Sequence, residues 1–106
     1  MRRGEVWWVD FDPAVGGEIR KRRPAIIVGN DSANRFLNRV QVVPLSSNTS
    51  KLYPSEARVH IGEAESKAMA DQLTTADKSR LIGSLGTLSA AGLRAVENAV
   101  RVQLAL

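Results

Sequence analysis

Cysteine is absent from the 106 residues, which rules out disulfides, thiol nucleophiles and cysteine-based zinc sites. A chain without it suits a reducing, cytoplasmic setting. Histidine occurs once, as His60. A pair of acid–base histidines is therefore excluded, and His60, at an outward position of an alternating strand, is poorly placed to serve a Ser-His-Asp triad. Aromatic residues are few: one Tyr, two Phe and two Trp, the latter adjacent as Trp7-Trp8. No apolar run approaches the roughly 20 residues of a membrane span. The N-terminus passes from Arg2-Arg3 to Trp and Asp, not to an apolar segment, and so does not read as a signal peptide. The GxGxxG and P-loop fingerprints are both missing. Carboxylates are dispersed; Glu63 and Glu65 fall in what reads as a solvated connector, and no convergent set suggests a metal site.

What is present is ordinary globular material, 43% hydrophobic and 25% charged, enough for one domain over residues 1–106 with a single core. The net charge of +4 points to a polyanion or an acidic protein partner, or only serves solubility.

The pattern along the chain is mainly β. Residues 4–11 are rich in β-branched and aromatic types and predict a strand, although the alternation is imperfect. Asp12-Pro13 and Gly16-Gly17 mark a long loop. An apolar run over 24–29 predicts a strand buried on both faces. Residues 32–36 suit a helical turn, and 40–45 a third strand whose Pro44 belongs near an end or an edge. Residues 55–61 alternate as a half-exposed strand, 62–67 read as a polar connector, and 68–73 as a short strand. A helical turn is predicted over 75–80 and a closing strand over 82–85. Ser89 is placed to cap a final helix whose stripe is Leu93, Val96, Val100 and Leu104. The layout predicts a mainly β fold with short helices: a small SH3-like β-barrel carrying a C-terminal α-helix.

One stretch stands out. Arg20-Lys21-Arg22-Arg23 runs directly into Pro24 and the apolar strand. A residue before proline is biased to extended backbone, so Arg23 is held at the strand mouth while its neighbours attract an anion. Arg23 also admits a plainer role, pairing with Glu5 or Glu18 on the surface. Trp7 and Trp8, on an early strand, read as core and dimer contact in preference to a stacking surface for bases.

In order, Arg3-Gly4-Glu5-Val6-Trp7, Val9-Asp10-Phe11-Asp12-Pro13, Gly16-Gly17-Glu18, Arg23-Pro24-Ala25-Ile26-Ile27-Val28, Val43-Pro44-Leu45-Ser46-Ser47, Tyr53-Pro54 and Ala70-Asp71-Gln72 resemble the MazF/PemK-type toxins. The likeness covers nearly the whole chain, more loosely over 83–88 and the final helix. It implies an SH3-like homodimer that cuts single-stranded RNA sequence-specifically, without a metal or other cofactor, in the cytoplasm, and is neutralised by a cognate antitoxin. It further implies that Arg23 and Ser46 are catalytic, Ser46 standing where the family has threonine. Glu18, Arg20, Lys21, Arg22, Ser47, Asp71 and Gln72 would bind substrate. A histidine in the first loop and an arginine two before the aspartate, present in some members, are Gly17 and Met69 here. The serine at 46 and the missing loop histidine leave open a non-catalytic RNA- or protein-binding module, and a gyrase-inhibiting toxin of similar fold is a further reading. Ser46 and Asp71 also have structural readings, as a turn cap and a turn carboxylate.

Overall fold

In the computed structural model, residues 1–13, 15–18 and 21–106 are described. Seven strands form one curled antiparallel sheet in the order β4-β5-β3-β2-β1-β7, with β6 paired to β3 beside that path. The strands are β1 (Glu5–Asp10), β2 (Arg22–Ile27), β3 (Arg39–Ser46), β4 (Glu56–Ile61), β5 (Ala64–Met69), β6 (Thr74–Asp77) and β7 (Leu81–Thr87). A short helix α1 (Asp31–Phe36) follows β2, and α2 (Ala90–Leu104) ends the chain.

Curling gives the sheet two apolar faces. Val9, Ala25, Ile27, Val40, Val42 and Leu81 pack on one. Val6, Ile26, Val43, Leu45, Val59 and Ala68 pack on the other, under Val96 and Ala99 of α2. β2 contributes to both, as a continuous apolar run predicts: Ala25, Ile26 and Ile27 are all fully buried. The Ser89 hydroxyl accepts from the Gly92 amide at 3.0 Å and caps α2 as expected. Arg3 ties the ends together, donating to the Val28 carbonyl and to Glu97 of α2. The Arg3 amide also donates to Asp31 at 2.7 Å. That bond, helped by the Asn34 side chain, holds the Asp31 carboxyl below the usual aspartate range.

The elements differ from the sequence reading in one region. Residues 62–67 are not a connector: Gly62-Glu63 is a two-residue hairpin turn, Ile61 pairs with Ala64, and β5 begins there. Gly62 has φ +60°, the left-handed backbone that such turns need. Residues 68–73 end β5 and then form a 3-10 turn over Ala70–Gln72. The helical turn predicted over 75–80 divides into β6 and a 3-10 turn at Lys78–Arg80.

β1 is irregular where it meets β7. Its register against β7 shifts between Val6 and Trp7 and again between Trp8 and Val9. Val6 and Val9, three residues apart, bury on opposite faces as strand alternation places them; Trp7 packs inward on the Val9 face, and Trp8 is exposed.

Candidate active site and flanking cleft

The β2–β3 ladder pairs Ile27 with Val42, Ile26 with Val43 and Ala25 with Pro44. Carried on by two residues, the same register would set Arg23 across from Ser46. Pro24 and Pro44 lack the N–H groups that would extend it. The strands open there into a cleft of about 310 Å³ lined by Trp8, Lys21, Arg22, Arg23, Pro24, Leu45, Ser46, Ser47 and Ser66.

This cleft gathers the two residues expected to be catalytic with three of those expected to bind substrate. Pro44, as anticipated, lies near the end of its strand. It also falls between two partners of β3: β6 pairs with Arg39 to Val42, and β5 with Leu45 and Ser46. Arg20 lies outside the described residues. The cleft is basic through Lys21, Arg22 and Arg23, and no carboxylate or imidazole is among its lining residues. Among the described residues no acidic group pairs with the Arg23 guanidinium, so the surface ion pair with Glu5 or Glu18 does not form. Ser46 does cap a turn, its Oγ accepting from the Asn48 amide at 3.2 Å. That bond uses an oxygen lone pair and leaves the O–H free to donate into the cleft.

The loop before β2 is pinned at its root. The Phe11 amide donates to the Lys21 carbonyl at 2.8 Å, and the Lys21 amide to Asp12 Oδ1 at 2.8 Å. Arg80 Nη1 donates to the Asp10 carbonyl at 3.0 Å and the Asp12 carbonyl at 2.6 Å. Lys21 itself adopts φ +63°. Left-handed backbone costs a non-glycine residue about 1–2 kcal/mol, and these bonds hold it there, delivering Arg22 and Arg23 to the strand mouth.

The remaining predicted residues sit elsewhere. Glu18, Asp71 and Gln72 line a second cleft of about 380 Å³ with Phe11, Pro13, Thr74, Thr75 and Arg80. Gln72 Nε2 donates to the Gly17 carbonyl at 3.3 Å, fastening the first loop to the 3-10 turn. The Arg23 cleft thus holds cations and no carboxylate, while the second holds Glu18 and Asp71 together with Arg80. No group of three or more His, Asp or Glu side chains converges among the described residues. His60 is exposed, 3.7 Å from Glu65.

Four lining residues fall outside the expected site: Trp8, Pro24, Leu45 and Ser66. Ser66 was hidden in the supposed connector; Gly62 with a following polar residue was the available hairpin signal. Trp8, expected in the core or a dimer contact, is 40% exposed and stands in the cleft wall, so it is not core. Only Trp7 packs inward, with its Nε1 donating to Glu5 Oε1 at 3.0 Å. Burial pushes the Glu5 carboxyl up, but this bond, the Arg2 amide and nearby positive charge outweigh it, so the net shift is downward.

Residues 2–104 match the family described as PemK-like, MazF-like toxin of type II toxin-antitoxin system. The chain is 38% identical to endoribonuclease MazF9 of Mycobacterium tuberculosis, covering 100% of this chain and 98% of the relative. Its backbone resembles the crystal structure of MazF from Deinococcus radiodurans, with a TM-score of 0.87 at 28% identity, covering 100% and 97% of the two chains. A MazE-MazF crystal structure from the same organism superposes at a TM-score of 0.79 and 25% identity, covering 100% and 96%.

Proposed function

The chain belongs to the PemK-like, MazF-like toxins of type II toxin–antitoxin systems, and from that premise we propose how its basic cleft cuts RNA. It is an endoribonuclease toxin, inhibitory to growth and neutralised by a cognate antitoxin. Residues 1–106 act as one toxin domain, working as a homodimer in the cytoplasm. No helix among the described residues is long and apolar enough to cross a membrane.

The observation that carries the mechanism is the convergence of Arg23 and Ser46 in one cation-lined cleft. A single-stranded RNA phosphate enters, drawn by Arg20, Lys21 and Arg22, whose contacts are sequence-independent and salt-sensitive. The Arg23 guanidinium takes two phosphate oxygens in a fork and stabilises the charge that builds as the 2′-oxygen attacks phosphorus. The Ser46 hydroxyl, its oxygen already oriented by the Asn48 amide, donates to a phosphate oxygen, with Ser47 beside it. The P–O2′ bond forms, the P–O5′ bond breaks, the 2′-hydroxyl gives up its proton and the departing O5′ gains one. The products are a 2′,3′-cyclic phosphate and a 5′-hydroxyl. Glu18, Asp71 and Gln72 receive a further part of the strand in the second cleft, where carboxylates accept N–H groups of unpaired bases.

Incubation of a long single-stranded RNA with the protein in excess EDTA tests this reading. Cutting at defined sites, undiminished by the chelator, is expected. RNA left intact by the protein would favour a non-catalytic module, and poisoned gyrase with untouched RNA a gyrase-directed toxin. Cutting abolished by EDTA would remove the metal-free mechanism.

A further inference from the structure

Trp8 is the exposed aromatic in the Arg23 cleft, and its surroundings hold it still. β1 pairs it with Pro24 on one side and Gly83 on the other. A Cβ at Gly83 would lie 4.0 Å from Trp8 Cδ1, so the indole edge rests against that glycine. Period-two alternation puts Trp8 on the Val6 face of β1, and there its ring lies exposed in the cleft wall. Its neighbours Val6 and Val9 are fully buried while Trp8 is 40% exposed. Among the described residues nothing accepts from its indole N–H. An open indole beside three cations fits an anionic ligand that also carries flat apolar surface.

We propose that Trp8 is a stacking surface for the unpaired base next to the scissile phosphate. The proposal rests on the ribonuclease reading above and adds a positioning role to it. Every base has a π-face, so a tryptophan platform holds a base whatever its identity. With the phosphate fixed by Arg23 and one adjacent base fixed on Trp8, the sugar between them has little freedom to turn. The 2′-oxygen is then kept near the line of the breaking P–O5′ bond, the arrangement that in-line displacement needs. Trp8 touches neither the phosphate nor a proton in transit; it positions the nucleotide that reacts.

The test uses tryptophan fluorescence in a Trp7→Phe background, where Trp8 is the sole tryptophan. The probe is a mixed-sequence single-stranded 2′-O-methyl oligonucleotide, which lacks the attacking hydroxyl. Saturable quenching of Trp8 is expected. Trp8→Ala should lower kcat/KM on cleavable RNA roughly tenfold, and Trp8→Phe should restore most of it. Both variants should keep the wild-type sedimentation coefficient and melting temperature. Oligonucleotide that binds without quenching, or Trp8→Ala cleaving like wild type, overturns the proposal. So does a Trp8→Ala protein whose activity falls only together with its dimerisation, since Trp8 would then be a subunit contact. Wild type that leaves RNA uncut while the probe quenches Trp8 would defeat the ribonuclease reading and leave the stacking surface standing.

Discussion

Arg23→Ala is expected to lower kcat on single-stranded RNA by about 10²–10³-fold, the usual consequence of removing one preorganised donor from developing transition-state charge. The folded state should lose no more than about 0.5 kcal/mol, because Arg23 holds no described acidic partner and contributes no core packing. The lysine variant is the sharper probe. Arg23→Lys keeps the charge and loses the planar fork, so recovery should be small. Steady-state cleavage of a short oligonucleotide, with a thermal melt of each variant, measures both effects. Lysine restoring wild-type activity would reduce Arg23 to a point charge. Alanine retaining half the activity would remove it from the reaction.

The second large effect concerns stability. Lys67 is only 8% exposed, and its ammonium donates to Glu56 Oε1 and to the Lys51 carbonyl, each at 3.1 Å. It also lies 5.6 Å from the centroid of the Tyr53 ring. One side chain thus fastens the segment before β4 onto β5, opposite Ser46 in the β3–β5 register. Removing one member of a buried pair strands the other's charge, a loss of about 3–5 kcal/mol. Lys67→Met should therefore lower stability by about that much in urea unfolding. Combining it with Glu56→Gln should return most of the loss, because the carboxylate is then no longer left charged and unpaired. A single variant within about 0.5 kcal/mol of wild type would mean that water already screens the pair.

Lys67 also explains where the sequence was hard to read. A strand whose buried position is a lysine does not alternate in hydropathy, so Ala64-Glu65-Ser66-Lys67 looked like connector. The ion pair that permits its burial joins residues distant in the chain. β6, Thr74-Thr75-Ala76-Asp77, has one buried residue, too little for any period to show. By contrast β2 and α2 were legible, since an unbroken apolar run and a capped stripe are local signals. Even there the stripe overshot: Leu104 is exposed, and Ala99 takes the buried place beside Val96. For the site, Arg23 before Pro24 was visible in the residues themselves. Its meeting with Ser46 was implied by family resemblance and depends on a register that periodicity does not encode. Glu18, Asp71 and Gln72 line a second cleft together with β6, with which β3 pairs before its exchange to β5. No pattern within any one segment announces that exchange. Adjacent tryptophans on a strand suggest core or dimer contact; in the folded chain Trp8 is 40% exposed and lines the cleft, so it is not core.

The central claim is that the Arg23–Ser46 cleft cuts RNA through the substrate's own 2′-oxygen. Its most direct measurement compares two oligonucleotides of one cleaved sequence, differing by a single 2′-deoxy sugar on the 5′ side of the mapped cut. The account predicts that the all-ribose strand yields a 2′,3′-cyclic phosphate and a 5′-hydroxyl, and that the deoxy strand binds but stays whole. Cutting of the deoxy strand at a comparable rate would contradict it.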